Sequence, residues 1–470
     1  MKKQAFNPYL PSWEYVPDGE PYVFDGRVYV YGSHDFFNGH AFCLGDYVCW
    51  SAPVDDLGNW RYEGVIFPKD GDPLSPDDSG CLYAPDVVKG PDGRYYLYYV
   101  LSHLSVVSVA VCDTPAGKYQ FYGHVHYADG TMLGDKPGDE PQFDPAVLLD
   151  DDGKVYLYTG FCAEGDKSRH GAMCTQLAPD MVTVVEGPKF IAPGFEYAPG
   201  TDFYGHAFFE APSIRKINGR YYFVYSGQGM HELCYAVSDK PDADYTYGGV
   251  IVSNCDLNID TYKPAEKPIA FSANNHGGLV EINGQWYIFY HRHTNGNWFC
   301  RQGCAEPVEI LEDGSIPQVE ITSCGLNGGP LLGKGEYPAY IACHIYGEDI
   351  VSRAEMFNFF PRSPRVMQDG RDGDEIPAHI DNIQDGSVIG FKYFDMQDVT
   401  KITLTTRAYT YGYFEVKTAI DGEVLATVYP KNCSVWTDFS ADIQMPNGKQ
   451  ALYLCYHGGG APQLKSITLE

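Results

Sequence analysis

One pattern recurs five times along this chain and leaves few folds open to it. A short apolar run leads into an Asp-Gly or Asn-Gly pair, and a tyrosine-rich run follows. The second halves read DGRVYVYGS from Asp25, DGRYYLYYV from Asp92, DGKVYLYTG from Asp152, NGRYYFVYSG from Asn218 and NGQWYIFYHR from Asn283. Asp-Gly and Asn-Gly between alternating apolar runs signal a tight hairpin, because both turn residues tolerate positive φ. The turn glycines fall at positions 26, 93, 153, 219 and 284, so the intervals are 67, 60, 66 and 65 residues. Further strand-like pieces follow each hairpin, such as HGAMCTQLA near His170 and HELCYAVSD from His231. Four strands per unit, five units and no helical periodicity between them predict a five-bladed β-propeller.

The repeat stops near Val319, and 470 residues exceed what one core needs, so a second domain is expected. The reading divides the chain into a propeller over 1–325, a Gly- and Pro-rich linker over 326–351 and an all-β sandwich, a jelly roll, over 352–470. A formal charge of −29 argues against nucleic acid or an anionic membrane surface as partner. No apolar run is long enough to span a bilayer as a helix. The first residues lack an apolar signal core, and the 14 cysteines form no C-x-x-C pair, so a cytoplasmic protein with reduced thiols is expected.

The innermost strands of a propeller line a common axis. Reading back seven to nine residues from each turn glycine gives Asp18, Asp86, Asp144, Glu210 and His276. Packing alone does not select ionisable residues at five equivalent inner positions, because buried charge is costly unless paired or used. A carboxylate cluster at one axial pocket suits glycoside hydrolysis, which needs one carboxyl protonated and another ionised; mutual repulsion separates their pKa values. Trp13, Tyr83, Trp286 and Trp298 could offer flat faces to a sugar ring. Asp150-Asp151-Asp152 reads as a solvated turn.

NPYLPSWEYVPDGEPYVF at Asn7, YAPDVV at Tyr83, FDPAVLLDDDGKVYLY at Phe143, FFEAPSIRKINGRYYFVY at Phe208 and NNHGGLVEINGQWYIFYHR at Asn274 together resemble glycoside hydrolase family 43. That family's members are five-bladed propellers acting mainly on arabinose- and xylose-containing glycans. The resemblance implies Asp18 as general base, Asp144 as the carboxylate that orients the acid and tunes its pKa, and Glu210 as general acid. It implies sugar-contacting or supporting roles for His34, Asp35, Asp86, His276 and Arg292, with His276 beside the sugar or a central cation. It further implies inversion, with base and acid about 6.5–9.5 Å apart. The chain departs from the family where Asp18-Gly19-Glu20-Pro21 replaces Asp-Pro-Ser, so Glu20, on the same face of a strand, stays open as the base.

The C-terminal stretch resembles a family 6 carbohydrate-binding module through RAEMF at Arg353, GYFEVKTAIDGEVLATV at Gly412 and VWTDFSADI at Val435. Tyr411, Trp436 and His457 are its candidate sugar contacts. No cofactor is required; a structural calcium is conceivable beside His276 or near Glu355. The activity expected is exo-acting α-L-arabinofuranosidase on short oligosaccharides, with β-xylosidase as the alternative. A non-catalytic sugar-binding propeller is a third reading, disfavoured by the retained carboxylates. A phosphorylase or lyase on the same fold is a fourth; a phosphorylase would need more than one clear axial arginine.

Overall fold

The computed structural model describes residues 3–77, 79–261, 263–294, 298–351 and 361–470. The five hairpins open five antiparallel sheets whose strands follow chain order from the inside out. Blade 1 comprises Glu20–Phe24, Arg27–Tyr31, Tyr47–Pro53 and Arg61–Phe67. Blade 2 comprises Leu82–Lys89, Tyr95–Leu101, Val107–Cys112 and Gln120–His124. Blade 3 comprises Ala146–Leu149, Val155–Thr159, Gly171–Leu177 and Val184–Pro193. Blade 4 comprises Phe208–Ile217, Arg220–Gly227, Glu232–Ser238 and Thr246–Ser253. Blade 5 has three paired strands, Leu279–Ile282, Gln285–His293 and Arg301–Val308.

The turns divide into two kinds. Asp25-Gly26, Asn218-Gly219 and Asn283-Gly284 have both residues at positive φ, as a two-residue type I′ hairpin requires. Asp92-Gly93 and Asp152-Gly153 have only the glycine there. Gly90 and Arg94, like Asp150 and Lys154, are joined by a backbone hydrogen bond across a longer loop. The same dipeptide thus serves two turn geometries.

The tyrosine-rich second strands supply the packing between blades. Tyr29 and Tyr31 of blade 1 cluster with Leu97 and Tyr99 of blade 2. Similar buried clusters join blades 2 and 3 through Tyr98 and Leu157, blades 3 and 4 through Tyr158 and Phe223, and blades 4 and 5 through Val224 and Ile288. The ring closes where Val28 and Val30 of blade 1 meet Tyr287 and Phe289 of blade 5. The N-terminal segment seals this seam: Tyr9 N–H donates to Gly303 O (3.2 Å) and Asn7 N–H to Ser323 O (2.9 Å). The Asn7 side chain bonds both backbone groups of Ala305 at 3.0 Å. Residues 7–9 therefore run beside the last strand of blade 5, in the place of a fourth strand.

The C-terminal domain is a sandwich of two sheets around a core that includes Phe391, Leu404, Phe414, Leu452 and Ile467. The stretch 326–351, expected to be a linker, belongs to it. Leu331–Leu332 and His344–Tyr346 pair with Val388–Met396, and Gly335–Pro338 pairs with Gln463–Leu469. Strands of two to four residues carry no readable periodicity, which is why the sequence looked structureless there.

The sandwich is anchored to the propeller through buried charge. The Lys392 ammonium, fully buried, lies 3.1 Å from Asp256 and 2.8 Å from Glu320 of the propeller. Tyr15 Oη donates to Gln368 Oε1 (2.9 Å), and Phe37 N–H donates to Asp372 Oδ1 (2.6 Å).

Candidate active site

A pocket of about 240 Å³ opens at the propeller axis, and Asp18, Asp144, Glu210 and His276 all line it. Its walls are aromatic: Phe42, Tyr83, Phe143, Phe161, Phe209 and Trp298. Each carboxylate arrives from a different blade. Asp18 and Asp144 sit just before their inner strands with φ of 56° and 46°, a left-handed conformation that aspartate tolerates better than most residues. Glu210 lies within the first strand of blade 4, where the register against the neighbouring strand slips on both sides of it. Ala211 has φ 65°, a strained value for a residue with a Cβ. That irregularity aims the Ala211 N–H at Asp144 Oδ2 (3.3 Å), tying blade 4 to blade 3 at the pocket.

The three carboxyls have different proton affinities. Burial alone would raise Asp18, but the Arg301 guanidinium, 2.9 Å from Oδ1, and His291, 3.2 Å from the same oxygen, hold it well below the usual carboxylate range. Glu210 has no such cation in contact among the described residues. Burial, followed by the charge of Asp18, pushes it up to about 8. Asp144 is also raised, by burial first and then by the charges of Glu210 and Asp18. One carboxyl is thus held ionised while its neighbours favour the proton, the division that acid–base chemistry between two carboxyls requires.

Arg301 was not found in the sequence reading. It comes from the third strand of blade 5, whereas counting back from hairpin turns finds only first strands. Its Nε and Nη2 bind Asp35 at 2.8 and 3.0 Å, and Asp35 also accepts the Cys43 N–H. His291, from the second strand, and Phe42, Cys43 and Met230, from loops beyond the first strands, were missed for the same reason; Asn274, two residues before His276, was passed over because the count takes one residue per blade. His291 Nε2 lies 2.9 Å from the Asn274 carbonyl oxygen. Two pocket-lining polar atoms, Asn274 Oδ1 and Trp298 Nε1, are buried with no hydrogen-bond partner among the described residues.

Several expected contacts lie elsewhere. Glu20 is paired to Arg215 at 2.8 Å and does not line the pocket. Asp86 sits in the same buried network. It accepts from Tyr22 Oη, Val87 N–H and Val147 N–H, each at 2.7 Å, and so has no sugar-facing oxygen. Asp35 does not line the pocket and reaches it through Arg301 and the Cys43 N–H. His34 bonds Glu14 and the Asp46 carbonyl, each at 3.0 Å, and lines a separate cavity with Trp13, Trp50 and Tyr62. Arg292 holds Gln302 and donates to Ala342 O of the sandwich (3.1 Å), so it is an interdomain clamp. Of the expected aromatic faces, Tyr83 and Trp298 line the axial pocket, whereas Trp13 and Trp286 line other cavities.

His276 lies 3.7 Å from Asp144 Oδ2, and burial lowers its pKa to about 4, so the ring is neutral. This donor set does not fit a cation held by protein ligands. One carboxylate oxygen stands close, Arg301 is a neighbour, and the only close-set group of three His, Cys, Asp or Glu ligands among the described residues lies elsewhere. Glu355, the second calcium candidate, lies outside the described residues. On the sandwich, Tyr411 is exposed and packs against Tyr409, Trp436 is covered by the Arg407 guanidinium, and His457 lies 3.4 Å from Glu415.

The family model for glycosyl hydrolases family 43 matches residues 17–316. A xylosidase/arabinosidase of Thermoclostridium stercorarium is 63% identical, the match covering 100% of this chain and 99% of that protein. A β-xylosidase of Xylanibacter ruminicola is 30% identical over 60% of this chain and 88% of its own length. Among solved structures, a family 43 arabinoxylan arabinofuranohydrolase from Bacillus subtilis shares the fold across 98% of this chain and 97% of its own, with TM-score 0.55 and 21% identity. A compost-metagenome β-xylosidase/α-arabinofuranosidase matches 68% of this chain and 98% of its own at 26% identity and TM-score 0.54. With a family model over the whole blade region and a relative alike from end to end, this chain belongs to glycosyl hydrolase family 43.

Proposed function

We propose that the protein removes terminal pentose units from arabinose- and xylose-containing oligosaccharides with inversion, acting foremost as an exo-α-L-arabinofuranosidase. The observation that carries this reading is the pairing of an Arg301-held, ionised Asp18 with a Glu210 whose proton is retained to about pH 8, both facing one pocket. Asp18 takes a proton from water as that water attacks the anomeric carbon. Glu210 gives its proton to the departing oxygen, and Asp144 positions and tunes it.

The pocket's size supports an exo mode. About 240 Å³ lies below the roughly 300–1,000 Å³ of sites that engulf larger ligands, and it suits a chain end. Aromatic walls and the unpartnered Asn274 Oδ1 and Trp298 Nε1 suit a ring bearing hydroxyls. The relatives' names, xylosidase/arabinosidase and β-xylosidase, support the pentose class and keep β-xylosidase as the second reading. All 14 cysteines are unpaired, which supports a reducing compartment and short, imported substrates.

The test is a side-by-side assay of aryl α-L-arabinofuranoside and aryl β-xyloside, with the product anomer followed by NMR. Release of free pentose from both aryl glycosides or from the arabinoside alone is expected, with inverted configuration. Activity confined to long polymer, or retention of configuration, would overturn the reading.

A further inference from the structure

Outside the axial pocket, one cluster of side chains combines three metal-ligand types. Glu232 and Cys234 lie two residues apart on the third strand of blade 4, so they share a face. His206 approaches from the segment before the first strand of that blade. Its Nδ1 lies 3.1 and 3.2 Å from the two Glu232 oxygens and 4.0 Å from Cys234 Sγ. All three ligand atoms fall within 4.8 Å of one another. A tetrahedral zinc with bonds of about 2.0–2.3 Å sets its ligands roughly 3.3–3.6 Å apart; the His206–Glu232 pair at 3.1 and 3.2 Å lies just inside that spacing, and Cys234 Sγ, 4.0 Å from His206 Nδ1, would have to draw in.

The surroundings hold His206 and leave room at the other two ligands. The His206 ring stacks on Tyr247, with centroids 4.9 Å apart and planes at 10°, and its carbonyl accepts from Tyr225 Oη at 2.8 Å. Gly227 keeps the space open: a Cβ there would stand 2.5 Å from Glu232 Oε1 and 2.9 Å from Cys234 Sγ. Glu232 and Cys234 are buried while His206 is partly exposed, which provides an entry path.

We propose that His206, Glu232 and Cys234 form a binding site for a single borderline-soft divalent metal ion, zinc or its substitutes cobalt and cadmium, with a water in the fourth position. One thiolate, one imidazole and one carboxylate match that class of ion; calcium, which gathers six to eight oxygens, is excluded by the same donor set. Binding displaces the Cys234 thiol proton to solvent. The ion would join the segment leading to Glu210 with the hairpin carrying Met230, a lining residue of the axial pocket. Its role is therefore structural, bracing one wall of that pocket.

The experiment is a cobalt(II) titration of the chelator-treated, full-length protein, followed by absorbance and thermal melting. One equivalent of cobalt should produce a thiolate-to-cobalt charge-transfer band and tetrahedral d–d bands. Zinc should displace both, calcium should displace neither, and the melting temperature should rise. Cys234→Ser should abolish the charge-transfer band. His206→Asn, at a half-exposed position that tolerates change, should weaken binding at least tenfold, which keeps the test open should Cys234→Ser not fold. Cobalt binding without a charge-transfer band, a band that persists in Cys234→Ser, or unaltered affinity in His206→Asn would each overturn the assignment.

Discussion

Arg301 donates to Asp18 Oδ1 at 2.9 Å with one edge of its guanidinium and grips Asp35 at 2.8 and 3.0 Å with the other, while almost no part of it reaches solvent. Five donors in a fixed fork make this arrangement specific to arginine. Arg301→Lys should lower kcat/KM about 10²–10³-fold, a loss comparable to that of a pre-organised charge-stabilising donor. The acid limb of the pH profile should also move upward, since Asp18 loses the cation that keeps it ionised. Profiles of variant and parent, measured side by side, check both.

Glu210→Gln keeps the shape of the proposed acid but removes its proton. The expected loss is about 10²–10⁴-fold on natural oligosaccharides, whose leaving oxygen needs protonation. The loss should be much smaller on aryl glycosides with acidic phenols. The ratio of the two losses, from kcat/KM on each substrate, isolates the proton-donating role from simple misfolding.

For the unsubstituted protein, kcat/KM should decline as pH rises through about 8, where Glu210 surrenders its proton. On the acid side activity should persist below the ordinary carboxylate range of roughly 4, because Asp18 stays ionised there. A substrate without titrating groups gives both limbs directly.

Asp86, raised to about 7 by burial and then by Glu20, makes the opposite kind of prediction. A carboxyl whose folded pKa is raised contributes stability that is complete below its unfolded value, about 3.9, and is lost as pH climbs through the folded one. Asp86→Asn should therefore flatten the fall in melting temperature between about pH 4 and 7. It should leave KM unchanged, because the side chain serves Tyr22 and two backbone amides rather than the sugar.

Lys392 is the buried cation between the domains, and removing it leaves Asp256 uncompensated. Lys392→Met should cost about 3–5 kcal/mol of stability, the usual penalty for breaking a buried pair from one side. Glu320, partly exposed, should cost less when changed to Gln. Denaturant melts of the two variants test the order.

The repeat of turn pairs made the propeller legible from sequence, because hairpin chemistry is local and its spacing survives in the text. Asp18, Asp144, Glu210 and His276 were reachable by counting back along first strands, and they share one pocket. Arg301 and His291 were not: they arrive from second and third strands, whose inward reach depends on blade geometry and not on distance from a turn. His34 and Arg292 show the converse. Each lies in a motif that suggests sugar contact, yet Glu14 and Ala342 O engage them away from the axis. The short strands within 326–351 stayed hidden because their partners lie far along the chain.

The seam that residues 7–9 close against Gly303 and Ser323 has a consequence for how the molecule comes into being. Asp144 and the Ala211 amide that it accepts are 67 residues apart, so a nascent chain can unite them midway through synthesis. Asp18 must wait for Arg301, 283 residues later, while the leading segment waits for the far edge of blade 5. Until the ribosome has delivered that last blade, the growing ring stays open, the buried Asp18 lacks its counter-ion, and the polypeptide is not yet an enzyme.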